Sequence, residues 1–296
     1  MAVKKSNIVH ERVVVISDLF CDLGFDNIVK FDMLEPEFHT LKRLFEGGVR
    51  CEYLGLIAVS AGSIDFQLGL GGAEKFWSLL NELAKRFKSL NDLEQVEFLM
   101  KVFLSEPINA RSLRIKTARI RRLFNSGFAR WLINNYDELR MKPILLWRKL
   151  ADILKTDMKR KTIVFAMKAF DLSHLICFGD YANFPPEIPI PVDFHVKNVT
   201  ISSGLLKNYG SDDEVRKAWA MVLKKVREKL RRNMTLLRLD SLVWQAGKIM
   251  YANSYLKELC QKEIEKYMIE RVKLSPRLAC RLAEELTVHI ENVKVG

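Results

Sequence analysis

The chain lacks the cysteine patterns of metal sites and of small disulfide-stabilised domains. Its five cysteines are odd in number, far apart and never spaced as CxxC: Cys21, Cys51, Cys177, Cys260 and Cys280. This excludes a zinc finger and a closely spaced four-cysteine iron-sulfur cluster. We expect reduced, mostly buried thiols, no metal, and a cytoplasmic, intracellular protein.

Long apolar runs are also missing near the start of the chain. The first twenty residues contain only a short apolar stretch, residues 13–16, before Asp18. That stretch is too short for a signal peptide or a membrane span, so we expect no membrane partner. With 296 residues, 49% of them hydrophobic, the chain can bury a large core.

Acidic residues are fewer than basic ones. There are 36 Asp and Glu against 48 Lys and Arg, which gives a net charge of +12. This balance predicts an anionic partner but leaves nucleic acid, anionic lipid and acidic protein open. Two basic runs, within residues 111–122 and 224–232, lie on helix-forming sequence. Such runs are more often solvated helix faces than phosphate contacts.

Glycine and proline are sparse, and apolar residues recur at helical spacing, as in Leu41, Leu44 and Phe45. We therefore predict an all-α fold of ten or more helices joined by short turns. Ser211, followed by Glu214 three residues later, has the spacing of a capping box and predicts the start of a long helix.

The most informative segment is residues 145–196, LLWRKLADILKTDMKRKTIVFAMKAFDLSHLICFGDYANFPPEIPIPVDFHV. Its pattern predicts a helix, a polar turn at residues 155–160 and a second helix from Lys161 or Thr162. The free N–H groups and partial positive charge at the start of the second helix suit a DNA phosphate. Three cations of the turn add to that potential: Lys155, Lys159 and Arg160.

A proline-rich connection, residues 185–191, leads from this hairpin to PVDFHV. The prolines stiffen the chain and deliver Asp193 to the first turn of another helix. Taken alone, Asp193 is interpreted most simply as a helix cap.

These residues resemble the helix-hairpin-helix DNA glycosylases, and more closely the archaeal 8-oxoguanine DNA glycosylases. In that superfamily a lysine opens the second hairpin helix, and the Asp of a later PVD segment completes the site. Lys161 in KTIVFAMK and Asp193 in PIPVDFHV fill these positions, 32 residues apart as in the archaeal branch. The resemblance implies that Lys161 is the covalent nucleophile and Asp193 the essential carboxylate. Lys168, on roughly the same helix face, is the alternative nucleophile.

The same resemblance, from about residue 60 to 250, implies a base pocket. Phe165 lies one turn beyond Lys161, and its family counterpart stacks on the extruded base. The segment LRLDSLVWQAG resembles a block whose Asp and Trp line the pocket, which implies Asp240 and Trp244. Trp77, in GGAEKFW, resembles a further pocket tryptophan. Without the resemblance these aromatics would be interpreted as core residues.

The resemblance also implies a two-subdomain fold with the active site in the cleft between subdomains. We expect residues 1–296 to form a single catalytic unit, with the helix-hairpin-helix at about residues 145–172. The hairpin KTDMKRK departs from the family pattern because it has no glycine, which makes a hairpin-bound cation doubtful. Residues 1–30 and 250–296 have no clear match.

The implied activity is that of a bifunctional DNA N-glycosylase/AP lyase. It would excise 8-oxoguanine by base flipping, Schiff-base formation and β-elimination, without a diffusible cofactor. The expected partner is double- or single-stranded DNA containing a damaged base, and the expected state is a monomer. Two alternatives stay open: a glycosylase for a different damaged base, and a non-catalytic helix-hairpin-helix DNA-binding module. The second has no use for a lysine, an aspartate and two aromatics in these positions.

Overall fold

The computed structural model describes residues 7–294, and its regular structure in that range is helical, as the apolar spacing predicts. Among the described residues, β pairing consists of an isolated bridge between Ile8 and Leu206. No helix in this range is long and apolar enough to cross a membrane. The α-helices, in chain order, are α1 (His10–Leu23), α2 (Phe25–Asp32), α3 (Pro36–Glu46), α4 (Cys51–Ile64), α5 (Gly72–Ala84), α6 (Leu93–Ser105), α7 (Leu113–Asn125), α8 (Phe128–Asn134), α9 (Tyr136–Met141), α10 (Pro143–Leu154), α11 (Lys161–Phe178), α12 (Phe194–Ser202), α13 (Asp212–Leu230), α14 (Leu236–Ala252), α15 (Lys257–Glu270) and α16 (Pro276–Leu286).

Contacts within the chain divide it into two compact units. The middle unit is Leu34–Pro185, and the terminal unit combines Met1–Met33 with Pro186–Gly296. The hairpin with Lys161 belongs to the middle unit, whereas Asp193 belongs to the terminal unit. The single catalytic unit with its site in a cleft stays a prediction.

The middle unit is built on the close packing of α4 against α11. All of α4 beyond its first two residues is buried. Gly62 allows the approach, because a Cβ at this position would lie 2.8 Å from the Cα of Ala166. Ala166 follows Phe165 and lies in the second turn of α11. The contact therefore fixes the part of α11 that carries Lys161 and Phe165.

A disulfide joins the opposite end of the same helix pair. Cys51 at the start of α4 bonds to Cys177 near the end of α11, with the Cα atoms 6.0 Å apart. The prediction of five reduced thiols is therefore wrong, and the cellular compartment inferred from it loses that support. These cysteines are 126 residues apart in sequence, and only antiparallel packing of two helices brings them together. Of the free cysteines, Cys260 is buried, but Cys21 and Cys280 are partly exposed.

The terminal unit contains the chain segments without a clear sequence match. In its core, α1 packs on α13, where the Phe20 ring is stacked on Trp219 at 6.2 Å between centroids. Helices α15 and α16 pack on each other, and α16 also contacts α1. The capping box at Ser211 is present as predicted, since its side chain accepts from the Glu214 N–H and the Glu214 carboxylate accepts from the Ser211 N–H.

A second glycine sets the packing of α12 on α14 in this unit. A Cβ at Gly247 would lie 2.9 Å from the backbone oxygen and from the Cβ of His195. His195 is in the first turn of α12, two residues after Asp193. The orientation of Asp193 therefore depends on a backbone approach that a larger residue at position 247 would prevent.

Removing the disulfide should destabilise the protein. A link between residues 126 apart restricts the unfolded chain, and the chain-entropy model gives about 5 kcal/mol for a loop of this length. We expect Cys51→Ala combined with Cys177→Ala to lower the free energy of unfolding by about 2–5 kcal/mol, measured by chemical denaturation without reductant. The control Cys280→Ala should change it little. A wild-type unfolding midpoint that is insensitive to reductant would contradict this prediction.

Candidate active site

The turn of the hairpin lies at the predicted residues, 155–160, and its two helices extend beyond the predicted range of about 145–172, to Pro143 and Phe178. Helix α10 ends at Leu154 and α11 begins at Lys161. No acidic residue lies in the first turn of α11, and no side chain caps it. The first N–H groups of α11 therefore retain the positive potential that suits a phosphate. The three cations of the turn are exposed beside it: Lys155, Lys159 and Arg160.

The turn forms without glycine. Lys155 adopts the left-handed conformation, φ 51° and ψ 52°, at a position where glycine is usual. The Asp157 Oδ1 accepts a hydrogen bond from the Lys159 N–H at 2.6 Å. The indole N–H of Trp147 in α10 donates to the Met158 carbonyl at 2.8 Å. Lys155 in the left-handed conformation, the Asp157 side chain and the buried Trp147 thus stabilise a turn that contains glycine elsewhere in the family.

Phe165 lies between two lysines on one face of α11. The centroid of its ring is 5.9 Å from the Lys161 Nζ and 5.8 Å from the Lys168 Nζ. Lys161 and Phe165 are partly exposed, whereas Lys168 is buried. The structure brings together the lysine and the stacking aromatic that the sequence singled out, and their roles stay predictions.

Lys168 is part of a buried ionic cluster. Its Nζ lies 3.4 Å from the Glu35 carboxylate and 3.8 Å from the Glu37 carboxylate, and both glutamates are buried. Burial, followed by repulsion from Glu35, raises the pKa of Glu37 well above its ordinary value. Lys168 is therefore tied to carboxylates in the interior. A nucleophile must reach its substrate, so this position favours Lys161 over Lys168.

Trp77 is fully buried. Its indole N–H donates to the Asp65 Oδ2 at 2.9 Å, and its ring packs edge-on against Phe76. Its backbone oxygen accepts from the Thr40 hydroxyl at 2.8 Å. A ring without exposed surface offers no face to a base in this structure. The pocket role of Trp77 stays a prediction that would require its surroundings to open.

Asp193 is the N-cap of α12. Its Oδ1 accepts from the Val196 N–H at 3.0 Å, as the capping interpretation predicts. Two residues on, the ring of His195 packs edge-on against Trp244, with centroids 5.7 Å apart. The cap and this ring contact hold the partly exposed Asp193 carboxylate in one orientation near the start of the helix.

The other two terminal-unit residues share a face of α14. Asp240 is buried, and Trp244, one turn further on, is partly exposed. The Lys248 Nζ lies 5.4 Å from the Trp244 ring centroid, in the geometry of a cation–π contact. Next to Asp240, the Ser241 hydroxyl donates to Asp32 of α2, so the α14 backbone is held at this point.

The first basic run, within residues 111–122, includes side chains that are not on the solvated face of α7. Lys116 is buried with its Nζ 3.1 Å from the Asn109 Oδ1, and burial lowers its pKa to about 8. Arg119 donates to the Ser63 carbonyl at 2.5 Å and to the Thr162 hydroxyl at 2.8 Å. Thr162 follows Lys161, so Arg119 ties the start of α11 to the end of α4.

The sequence does not predict the hydrogen bonds of Arg119 or the burial of the two glutamates beside Lys168. Arg119 was interpreted only as a member of a basic run, although its spacing from the buried Ile120 and Leu123 places it at the edge of the inward face of α7. Glu35 and Glu37 lie 126 and 124 residues before the start of α11 in sequence, and no local pattern marks them. Among residues 7–294, no cluster of His, Cys, Asp and Glu is arranged to hold a metal ion.

Comparison with known proteins identifies the family. The family described as AGOG: N-glycosylase/DNA lyase matches residues 17–279 of this chain. An N-glycosylase/DNA lyase of Thermococcus kodakarensis is 27% identical over 237 residues, which are 78% of this chain and 82% of that protein. One of Pyrobaculum aerophilum is 23% identical over 242 residues, or 78% and 85% of the two chains. One of Nanoarchaeum equitans is 29% identical over 196 residues, or 66% and 75%.

The fold agrees with a solved structure. The crystal structure of an 8-oxoguanine DNA glycosylase from Pyrobaculum aerophilum, complexed with 8-oxoguanosine, superposes with a TM-score of 0.66 at 16% identity. The match covers 94% of this chain and 97% of that one, and it shows the fold. Together with the family match, this fold gives the class of the protein, a helical N-glycosylase/DNA lyase. The family match spans most of the chain, including much of both ends, and the chain belongs to the AGOG family of N-glycosylase/DNA lyases.

The buried cluster around Lys168 generates a prediction about pH. An acid whose pKa is raised in the folded protein takes up a proton on folding, so Glu37 makes the protein less stable as pH rises above the ordinary pKa of a glutamate. Glu37→Gln mimics the protonated acid. We expect the variant to lose this pH slope and to match or exceed the wild-type free energy of unfolding at neutral pH.

The matched control is Glu35→Gln, which removes a carboxylate from the same lysine. It should lower the free energy of unfolding at pH 7 more than Glu37→Gln does, because it weakens the pairing of a buried ammonium. Urea denaturation of both variants from pH 4 to pH 9 measures the two slopes. If Glu37→Gln lowers the free energy of unfolding more than Glu35→Gln does, the prediction that Glu37 carries the proton is wrong.

Proposed function

We propose that this protein excises 8-oxoguanine from DNA, with Lys161 as nucleophile and Asp193 as the essential carboxylate. The observation that carries the proposal is the pairing of a partly exposed lysine with Phe165 at an uncapped helix N-terminus. The choice of lesion is supported by the Pyrobaculum aerophilum protein of the same fold, which is an 8-oxoguanine DNA glycosylase. Membership of an enzyme family removes the non-catalytic DNA-binding module from the alternatives.

Substrate binding would begin with the phosphates. The exposed cations of the hairpin, with the N–H groups of α11, attract the backbone without reading sequence. A base inside the duplex cannot reach a lysine nucleophile, so the damaged nucleotide must be extruded. Phe165 and Trp244 would each offer a ring face to the base, which offsets part of the lost stacking. Asp240 would complete the pocket and contribute to lesion recognition.

The chemical step exchanges one bond at the sugar for another. The neutral Lys161 amine attacks C1′, the N9–C1′ bond breaks, and its electron pair leaves with the base, which is protonated. The nitrogen then loses a proton and the sugar ring opens to a Schiff base. Loss of a C2′ proton drives β-elimination, in which the 3′ phosphate leaves and the strand is nicked. No diffusible cofactor takes part in these steps.

Asp193 would act through its charge. The sugar becomes oxocarbenium-like as the base departs, and a carboxylate held by a helix cap stabilises that positive charge without reorganising. It would also assist proton removal from the lysine nitrogen. The cap and the proposed catalytic role are compatible, since both need an ionised, fixed carboxylate.

The partner we propose is damaged DNA in double- or single-stranded form, bound by one copy of the chain. The stoichiometry of the complex, a monomer on one lesion, is measurable by sedimentation with a lesion-bearing duplex.

Borohydride trapping tests the proposal. Borohydride reduces an imine to a stable amine, so wild-type protein should become covalently linked to DNA containing 8-oxoguanine. Lys161→Gln keeps most of the side-chain length and a hydrogen-bonding group but removes the amine, and should abolish trapping and nicking while DNA binding persists. The matched control is Lys168→Gln, on the same helix face.

The outcomes distinguish a wrongly assigned nucleophile from a wrongly proposed substrate. If trapping persists in Lys161→Gln and is lost in Lys168→Gln, the nucleophile is misassigned but the enzyme class stands. If the wild type is not trapped on 8-oxoguanine but is trapped on another lesion, the proposed substrate is wrong. Because Lys168 is held by two buried glutamates, circular dichroism of both variants must accompany the assay.

A further inference from the structure

Two aromatic side chains of the terminal unit lie exposed next to Asp193 in the chain or on the neighbouring helix. Phe194, the first residue of α12, is 46% exposed, and Tyr251, near the end of α14, is 59% exposed. Their ring centroids are 5.6 Å apart and their ring planes are perpendicular. Single exposed aromatics need no explanation, but two that contact each other form a continuous apolar surface, called the aromatic pair below. Neither residue has a role in the function proposed above.

The aromatic pair is held in place by its neighbours. The His195 ring lies edge-on to both members, with its centroid 5.5 Å from that of Phe194 and 5.8 Å from that of Tyr251. The buried Tyr255 also contacts Tyr251, at 6.5 Å between centroids, and its hydroxyl accepts a hydrogen bond from Asn198 of α12. Rings held in this way lose little conformational entropy when a ligand binds to them.

The aromatic pair lies beside the proposed base pocket. Tyr251 follows Trp244 by seven residues on the same face of α14, which places it two turns, or about 10 Å, further along the helix axis. The His195 ring contacts both side chains, at 5.7 Å from Trp244 and 5.8 Å from Tyr251. The pair therefore extends the aromatic surface of the pocket far enough to receive an adjoining nucleotide rather than the base in the pocket.

The surroundings of the aromatic pair suit a nucleic acid. Lys248 lies one turn before Tyr251, with its Nζ 5.4 Å from the Trp244 ring centroid. No acidic residue occurs from position 241 to position 257. Bases are apolar on their faces and are joined by anionic phosphates, so they match an aromatic surface bordered by a cation. Because Phe194 directly follows Asp193, a strand whose sugar lies at that carboxylate also passes the pair.

We propose that Phe194 and Tyr251 form a stacking platform for an unpaired base that adjoins the lesion in the same strand. Aromatic side chains stack on any base, so the platform does not read sequence. In a duplex the adjoining bases are paired and stacked on each other, whereas in a single strand they are free to turn onto the protein. The platform binds and positions DNA and takes no part in the bond exchange. This inference rests on the proposed function.

The test measures release of 8-oxoguanine from a single-stranded oligonucleotide in single-turnover reactions at increasing protein concentration. Tyr251 is the residue to change, because Phe194 adjoins the capping Asp193. Tyr251→Ala should raise the half-saturating protein concentration by roughly fivefold or more, since base stacking contributes to binding. The rate at saturation should be unchanged, because the platform does not touch the reacting atoms. Tyr251→Phe keeps the ring and should bind like the wild type.

A matching change in the DNA identifies the bound base. A propanediol spacer in place of the nucleotide 5′ or 3′ of the lesion removes one base and keeps the backbone continuous. At one of these two positions the spacer should weaken binding of the wild type as much as Tyr251→Ala does. The two changes together should weaken binding no further than either alone, because they remove the same contact.

Phe98→Ala is the control in the middle unit. Phe98 is 58% exposed, and its ring also packs edge-on against an aromatic neighbour, Phe87, at 5.8 Å between centroids. This variant should change neither the half-saturating concentration nor the rate.

Three results would overturn the platform. Tyr251→Ala could leave the half-saturating concentration unchanged, could lower only the rate at saturation, or could weaken binding equally whether or not either adjoining base is present. Failure of the proposed function would look different, because the wild type itself would release no 8-oxoguanine from the strand.

Discussion

Two helix pairs that meet at glycine determine where the proposed catalytic residues lie. In the middle unit Gly62 lets α4 approach the backbone of α11 next to Phe165, and in the terminal unit Gly247 lets α14 approach the backbone of α12 next to Asp193. In each pair, the glycine faces the first turns of the helix that carries a proposed catalytic residue. A Cβ at either position would meet backbone atoms within 3 Å, which no side-chain rotation can relieve.

The two lysines of α11 differ in burial and in their neighbours. Both lie within 6 Å of the Phe165 ring, one on each side. Lys168 is buried beside the Glu35 and Glu37 carboxylates, whereas Lys161 is partly exposed at the uncapped N-terminus of α11. A nucleophile must reach the sugar, and of the two lysines Lys161 has exposed surface.

What the sequence could predict was local. The hairpin boundaries, the cap at Asp193 and the capping box at Ser211 depend on interactions between residues a few positions apart, and the structure confirms all three. The fold class followed from apolar spacing and is likewise confirmed.

What it could not predict depends on packing between distant segments. The Cys51–Cys177 disulfide needs the antiparallel contact of α4 and α11, and the glutamates that bind Lys168 come from α3 and the residue before it. In the sequence, Arg119 and Lys116 do not differ from the other cations of their basic run, although in the structure both form hydrogen bonds inside the middle unit.

Peptide mapping of the trapped complex tests the central claim, that Lys161 attacks the sugar, most directly. A lysine that carries the sugar adduct is no longer cut by trypsin. After reduction and digestion of the wild-type complex, an adduct on Lys161 yields the peptide of residues 161–168, KTIVFAMK, whereas an adduct on Lys168 yields residues 162–197. We expect the adduct mass on the first peptide. Its appearance on the second would contradict the assignment of the nucleophile.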